Sequence, residues 1–210
     1  MKTLVFAPHP DDEIIGCGGY LAKLTQRGDL VDVVYITAPY QKRKIETNKV
    51  KKLMGFNKIY FFDEKERTIL PNRLLLKKIL HIIRNVKPNQ MIIPHINETD
   101  RDHKILSGIL QESVCLSNSD FLLEKQDSPW KVDFVIGYEV WTPISSPQLF
   151  VNITNVIKTK EEAMKIYKSQ LNQKDFISMF KGLNKFRSIS AGCNGFSEAF
   201  EVYKLDETLL

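Results

Sequence analysis

Four residues near the amino terminus, His9, Asp11, Asp12 and Glu13, could do chemistry together because they lie within one short stretch. A neutral histidine nitrogen and a carboxylate oxygen are both ligands for a divalent ion, and a catalytic zinc site typically uses three protein ligands and one open position. His9 and Asp12 can therefore supply two ligands, while Asp11 between them could accept a proton from a water molecule. The alternative is that the two aspartates only cap the helix that follows.

Capping explains one acidic residue in this turn, but it does not explain the full pattern, in which His-Pro-Asp-Asp-Glu is soon followed by Gly-Cys-Gly-Gly. Pro10 also disfavours helical backbone at the residue before it, so His9 is expected to be extended ahead of the turn. We therefore favour a metal site here, with Zn²⁺ as the expected ion. Another divalent metal, such as iron or cobalt, would fit the same donors, because affinity alone rarely selects the metal.

The elements that must position this turn alternate between apolar strands and helical patterns, which predicts a parallel sheet with helices on both faces. We expect an α/β fold, a Rossmann-like three-layer sandwich with a mostly parallel central sheet, in a single domain of residues 1–210. Pro39 should end the second strand, and Pro71 suits an early helical position. The predicted strands cover residues 4–6, 30–37, 58–62, 90–94, 134–140 and 149–153. The predicted helices run from the acidic turn to residue 28 and over residues 43–54, 70–85 and 102–116, with a further amphipathic helix that ends near residue 167.

A second polar stretch follows the predicted strand at residues 90–94 and contains His95, Asp100, Asp102 and His103. Ligands of open α/β sheets bind beyond the carboxyl ends of the strands, so this stretch should face the first turn across the sheet edge. His103 opens the next predicted helix and is our candidate for the third metal ligand, with Asp102 as a candidate for orienting a histidine. His95 and Asp100 are candidates for stabilising the transition state, although His95 could equally be a hydrogen-bonded histidine at a strand end.

The acidic turn resembles the start of the PIG-L (LmbE-like) family of zinc-dependent N-deacetylases. This resemblance implies that His9 and Asp12 bind zinc and that Asp11 is the general base. The family's second signature, His-x-Asp-His, is similar to the sequence ending in His103, which implies that His103 is a zinc ligand. Asp100 stands where the family has its first histidine, so no transition-state role is transferred from that histidine. The similar residues are 9–13, 16–19, 21–24, 100–103, 160–170 and 191–200.

The same resemblance places part of a substrate pocket at the end of the fifth predicted strand, at Tyr138, Glu139 and Trp141. An aromatic ring beside a carboxylate suits a sugar, whose face is apolar and whose rim carries hydroxyl groups. The two aromatic residues could equally belong to the core. The resemblance also implies that Arg43 orients the substrate and that Glu46 holds this arginine.

The composition of the chain is that of an ordinary water-soluble protein, with 43% hydrophobic and 26% charged residues and a formal net charge of +5. No nucleic-acid motif accompanies the positive charge, and no apolar run is long enough to span a membrane, so we expect a cytoplasmic protein that does not bind nucleic acid. Cys17, Cys115 and Cys193 lack metal-ligand spacing and are expected to be reduced core thiols. The basic residues within 42–52 could be a solvated helix face or could attract an anionic substrate.

The predicted metal site and the resemblance to the PIG-L family together imply a metal-dependent hydrolase that removes an N-acyl group, expected to be acetyl, from an amino sugar or glycoconjugate. The expected partner is a small N-acylated amino sugar, free or linked to a nucleotide or lipid, and the protein could form homo-oligomers. Two alternatives stay open, hydrolysis of a non-sugar amide at the same metal and a catalytically inactive binding protein with the same fold. A dinucleotide enzyme is disfavoured, because Gly16, Gly18 and Gly19 lie inside the predicted first helix and do not form a phosphate loop.

Overall fold

A seven-stranded sheet forms the centre of the computed structural model, which describes residues 1–37 and 40–209. The strands are β1 (Lys2–Ala7), β2 (Leu30–Thr37), β3 (Lys58–Glu64), β4 (Gln90–Pro94), β5 (Phe134–Tyr138), β6 (Leu149–Asn152) and β7 (Ser197–Leu205). They lie in the order β3-β2-β1-β4-β5-β7-β6, and the pairs among β1 to β5 are all parallel. β7 pairs antiparallel with both β5 and β6. The sheet is therefore mostly parallel, as predicted.

Helices cover both faces of this sheet. They are α1 (Asp12–Gln26), α2 (Gln41–Met54), α3 (Arg73–Val86), α4 (Arg101–Ser117), α5 (Ile157–Ile166), α6 (Lys168–Leu171) and α7 (Phe176–Ser190). Successive side chains of a strand point to opposite faces, and those of β1 do so here. Val5 and Ala7 pack with residues of α1, α2, α5 and α7, whereas Leu4 and Phe6 pack with residues of α3 and α4. The predicted three-layer sandwich is confirmed.

The strand order creates a crevice at the centre of the sheet. β1 and β4 are neighbours there, although β2 and β3 come between them in the chain. The chain therefore leaves β1 towards one edge of the sheet and leaves β4 towards the other edge. In open α/β sheets, ligands bind at such a switch point, beyond the carboxyl ends of the strands. The turn after β1 and the start of α4 both follow strands that end at this crevice.

Three details of the structure differ from the sequence-based prediction. Local patterning does not predict α7 or the antiparallel strand β7, which pairs with strands distant in the chain. Pro71 precedes α3 instead of lying in it, because Asn72 caps that helix by accepting a hydrogen bond from the Leu75 N–H at 2.9 Å. The cysteines are all free, but only Cys17 is buried in the core, whereas Cys115 is exposed. The predicted break at Pro39 lies outside the described residues.

No helix within residues 1–37 and 40–209 combines the length and the apolar character that a bilayer crossing requires.

Gly16 allows α1 to pack closely against the end of β5. A methyl group added there would lie 2.2 Å from Cδ2 of Tyr138 and 3.0 Å from the carbonyl oxygen of Glu139. Because both groups belong to the packed interior, we expect Gly16→Ala to lower the free energy of unfolding by about 1–3 kcal/mol. Gly108→Ala in α4 is the matched control, since nothing lies within 4 Å of its added methyl group and alanine favours helix. Urea unfolding of the two variants checks this, and a Gly16→Ala protein as stable as wild type would contradict it.

Candidate metal centre

The turn between β1 and α1 is held by hydrogen bonds from two neighbouring elements. The N–H and the hydroxyl of Thr37, at the end of β2, donate to the Pro8 carbonyl at 3.0 and 2.9 Å. Asp11 has a φ of 121°, which is rare for a residue other than glycine. Its N–H donates to one oxygen of Glu13 at 3.0 Å, and the other oxygen of Glu13 accepts from the Tyr167 hydroxyl at 2.7 Å. The surrounding structure therefore imposes a costly backbone conformation on the turn, a feature that clusters at functional sites.

His9, Asp12 and His103 each bring a possible ligand atom to a common point. These three atoms lie within 4.8 Å of one another, and all three residues are buried. Oδ2 of Asp12 lies 3.2 Å from Nδ1 of His9 and 3.1 Å from Nε2 of His103. Across residues 1–37 and 40–209, this is the single group of His, Cys, Asp and Glu side chains with such spacing. The three residues that the sequence suggested as metal ligands are thus brought together in space.

The polar atoms of this group fit a bound cation. Among the described residues, Nδ1 of His103 has no polar partner, and Nε2 has only the Asp12 carboxylate at 3.1 Å, without hydrogen-bond geometry, although the side chain is fully buried. Leaving a buried polar atom without a partner costs free energy. Two imidazole nitrogens and one carboxylate oxygen are also the donor types of zinc sites that keep one position open. The residues present therefore fit a divalent metal ion.

The pKa values of two of these residues describe how the group is charged when no cation is bound. Burial raises the pKa of Asp12, but His103 and His9 outweigh this effect and hold the pKa well below its usual range. Burial lowers the pKa of His9, but its hydrogen bonds with Asp102 and Asp12 outweigh this effect and raise the pKa to about 10. Without a cation, these shifts favour an ionised Asp12 and a protonated His9. Metal binding to this group must release that proton.

Asp11 is the carboxylate of the turn that faces the crevice without belonging to the ligand group. Only 5% of its surface is exposed. Burial raises the pKa of Asp11 well above its usual range, and the Asp12 carboxylate adds to the effect, while Arg43 opposes it. A carboxylate with a raised pKa is a better proton acceptor near neutral pH than an unperturbed one. Asp11 is therefore suited to general-base catalysis beside the ligand group.

A cavity of about 140 Å³ opens over the ligand group. Its walls come from the acidic turn, from the loop between β3 and α3, and from the segment between α6 and α7. Nη1 of Arg43 has no hydrogen-bond partner in the part of the chain that the structure describes, and it lies 3.7 Å from Oε2 of Glu66. The lining residues are His9, Asp11, Asp12, Arg43, Glu66, Arg67, Asp100, Trp141, Gln170, Gln173, Lys174 and Phe176.

Two residues that the sequence suggested as substrate contacts lie in the core. For Tyr138 this is the alternative that the sequence left open, and for Glu139 it corrects the assignment. Tyr138 is fully buried, and its hydroxyl donates to the Phe6 carbonyl at 3.0 Å. Glu139 accepts two hydrogen bonds from Arg187, at 3.0 and 2.7 Å, in a buried ion pair. Neither residue lines the cavity, whereas Trp141 lines it with 37% of its surface exposed.

The expected contact between Glu46 and Arg43 is also corrected. Glu46 accepts hydrogen bonds from the N–H and the hydroxyl of Ser169, so it ties α2 to α6. The carboxylate nearest to the arginine is that of Glu66 in the loop after β3.

The other candidate residues of the second polar stretch have distinct positions. His95 is buried and does not line the cavity. Its Nε2 lies 2.7 Å from the Thr142 carbonyl oxygen, so His95 is the hydrogen-bonded histidine at a strand end that the sequence offered as the alternative. Asp100 lines the cavity and caps α4, accepting from the Asp102 N–H at 2.9 Å. Asp102 is fully buried, with Oδ2 at 3.3 Å from Nε2 of His9. A carboxylate in this position is typical of one that orients a metal-binding histidine.

The sequence did not single out six of the residues that line the cavity. No motif marks them as binding residues, because they approach the ligand group only through the packing of distant elements. A weak signal exists for one of them, since Gln170 belongs to the Ser-Gln pair that is similar to a family segment. The six residues are Glu66, Arg67, Gln170, Gln173, Lys174 and Phe176.

Comparisons with known proteins agree with the fold and with the family resemblance. The diacetylchitobiose deacetylase of Thermococcus kodakarensis is 27% identical over 195 residues, which cover 80% of this chain and 70% of that protein. The solved N,N'-diacetylchitobiose deacetylase of Pyrococcus horikoshii has a TM-score of 0.84 at 23% identity, covering 100% of this chain and 88% of the other. The 4-carboxy-2-hydroxymuconate hydratase of Pseudomonas putida has a TM-score of 0.82 at 17% identity, covering 97% and 96%.

These two structural similarities establish the fold, and they show that it also occurs in a protein named for a different reaction. The family model described as PIG-L, GlcNAc-PI de-N-acetylase, matches residues 4–114, which is more than half of the chain and includes His9, Asp11, Asp12 and His103. The chain therefore belongs to the PIG-L family.

Proposed function

We propose that this protein is a metal-dependent hydrolase that removes the N-acetyl group from an amino sugar. The observation that carries the proposal is the buried group of His9, Asp12 and His103, with Asp11 beside it on the wall of a cavity. Membership of the PIG-L family supports amide hydrolysis. The names of two relatives, both diacetylchitobiose deacetylases, support an acetylated sugar as the substrate.

The side chains divide the reaction among them. His9, Asp12 and His103 would hold the ion, which when bound supplies Lewis acidity that polarises the acyl carbonyl and lowers the pKa of water. Asp11 accepts a proton from the water molecule as its oxygen attacks the carbonyl carbon. The same carboxyl group then gives this proton to the amine nitrogen as the carbon–nitrogen bond breaks. One residue can act first as base and then as acid, and burial supports the acid step because it raises the pKa of Asp11 well above its usual range.

The cavity offers contacts that suit a sugar ring. Arg43 provides N–H donors and Glu66 provides carboxylate acceptors on one wall, and hydroxyl groups can bond to both. Trp141 lines the same cavity and packs edge-on against Phe176, with ring centroids 5.8 Å apart. Nζ of Lys174 lies 4.8 Å from the centroid of the Trp141 ring, and Trp141 is 37% exposed. The exposed part of the indole is suited to the apolar face of a sugar. Zn²⁺ is the proposed ion, since two histidines and one carboxylate form a common catalytic zinc set.

The proposal is tested by metal content and acetate release on a panel of substrates. The panel contains N-acetylglucosamine, N,N'-diacetylchitobiose, a nucleotide-linked N-acetyl amino sugar and an N-acetyl amino acid as the non-sugar amide. We expect one zinc per chain, acetate from at least one sugar, loss of turnover after chelation, and recovery on adding Zn²⁺. Bound metal with acetate from the amino acid alone would replace the sugar by a different amide. A protein that binds no metal after reconstitution would refute the hydrolase proposal.

A further inference from the structure

The loop between β3 and α3 contacts the candidate metal centre through the backbone of one residue. Arg67 has a φ of 66°, in the left-handed region that non-glycine residues seldom adopt. In this conformation its N–H donates to Oδ2 of Asp102 at 2.6 Å. A residue usually occupies such a conformation only when the surrounding structure imposes it. The contact with Asp102 is the hydrogen bond that the Arg67 backbone makes in this unusual conformation.

Asp102 connects this loop to a candidate ligand. The same Oδ2 atom that accepts from Arg67 lies 3.3 Å from Nε2 of His9. Oδ1 of Asp102 has no hydrogen-bond partner within residues 1–37 and 40–209, although the side chain is fully buried. The position of the carboxylate thus depends on one oxygen, which Arg67 and His9 share.

The side chain of Arg67 fastens the loop to the start of α4. Its Nη1 donates to Oδ2 of Asp100 at 2.6 Å, and Oδ1 of Asp100 accepts from the Asp102 N–H at 2.9 Å. In the opposite direction, Nη1 of Arg101 donates to the Arg67 carbonyl at 2.5 Å. The backbone and the side chain of Arg67 therefore both contact the helix start that carries Asp102 and His103.

We propose that Arg67 is a positioning residue for the metal centre, acting through its backbone N–H on Asp102 and through Asp102 on His9. The proposal rests on the proposed metal site but not on the proposed substrate. Partners of ligand histidines and of the carboxylates that orient them typically change metal affinity or activity by about 10–100-fold when they are lost. A residue that only contacted the substrate would change KM and leave the affinity for the ion unchanged.

The test uses three substitutions that all remove the guanidinium but differ in the backbone they tolerate. Glycine adopts a φ of 66° freely, alanine adopts it with strain, and a β-branched valine strongly resists it. Arg67→Gly should therefore keep the N–H donor on Asp102, and Arg67→Val should lose it. The Kd for Zn²⁺ of the metal-free proteins is measured by competition with a chelator. We expect it to rise less than about 3-fold in Arg67→Gly, about 10–100-fold in Arg67→Val, and by an intermediate amount in Arg67→Ala.

Controls separate this effect from folding and from the function proposed above. Lys65→Val places the same β-branched side chain at an exposed position of the same loop and should leave the Kd for Zn²⁺ unchanged. If Arg67→Val does not fold, Arg67→Ala compared with Arg67→Gly gives the same test. Equal Zn²⁺ affinity in the glycine and alanine variants would overturn the proposal, as would a change confined to KM. A wild-type protein that binds no Zn²⁺ would overturn both proposals, whereas tight binding without acetate release would leave only the proposed substrate in error.

Discussion

Replacing His103 with alanine is expected to remove the bound metal and to reduce acetate release to the background rate. The substitution deletes one of three ligand atoms that lie within 4.8 Å of one another, and a site with two remaining ligands cannot hold a zinc ion firmly. The folded structure should persist, because the substitution removes only the contact of Nε2 with Asp12 at 3.1 Å, and Asp12 keeps the His9 N–H at 2.9 Å and Nδ1 of His9 at 3.2 Å. Metal analysis after dialysis and thermal unfolding of the same sample would measure the two effects separately.

His81→Ala is the matched control for this variant. His81 lies on α3, is partly exposed, and contacts Asp127 at 3.0 Å instead of the ligand group. We expect this control to keep full metal content and full acetate release. A His103→Ala protein that retained one zinc per chain would contradict the proposed ligand set and would direct the search for a third ligand elsewhere.

Replacing Asp11 with asparagine is expected to lower kcat by about 10²–10⁴-fold while leaving the metal in place. The two side chains have the same shape, but an amide cannot accept the proton of the attacking water or return it to the amine. Asparagine also tolerates positive φ better than most residues, so the strained turn should keep its conformation. Initial rates of acetate release and metal content of the same preparation provide the measurement.

Asp63→Asn is the matched control, because it makes the same substitution at another residue with a positive φ. Asp63 has a φ of 56° at the end of β3, and its carboxylate pairs with Lys44 at the surface, outside the cavity. We expect its kcat to equal that of the wild type. If Asp11→Asn kept its activity within about threefold, another group would be the base; if it lost the metal, Asp11 would belong to the ligand set.

The sequence predicts the grouping of His9, Asp12 and His103 because each residue follows a recognisable strand. Once β1 and β4 are parallel neighbours, the segments after them must meet at one edge of the sheet. Local patterns therefore determine this part of the site, and the chemistry of the residue types suggests the ion.

The substrate wall could not be predicted in the same way, because it depends on contacts between elements far apart in the chain. Tyr138 and Glu139 have the composition of a sugar contact, but they are core residues here. The partner that keeps Glu139 inside is Arg187, which lies 48 residues away. Lys160 is a similar case, since a lysine on an amphipathic helix suggests a solvated face. It is fully buried instead, with Nζ at 2.7 Å from Oε1 of Glu198.

The division of the cavity between the two halves of the chain has a consequence for how such a protein can change. The candidate ligands and the base fall within residues 4–114, the span that the family model matches, whereas Trp141, Gln170 and Lys174 come later in the chain. Substitution of these later residues can therefore reshape one wall of the cavity, while the ligand group, Asp11 and the wall formed by Arg43 and Glu66 are inherited intact. A chimera that joins residues 1–117 of this chain, up to the end of α4, to the remainder of a relative would measure how much of the selectivity comes from the later wall.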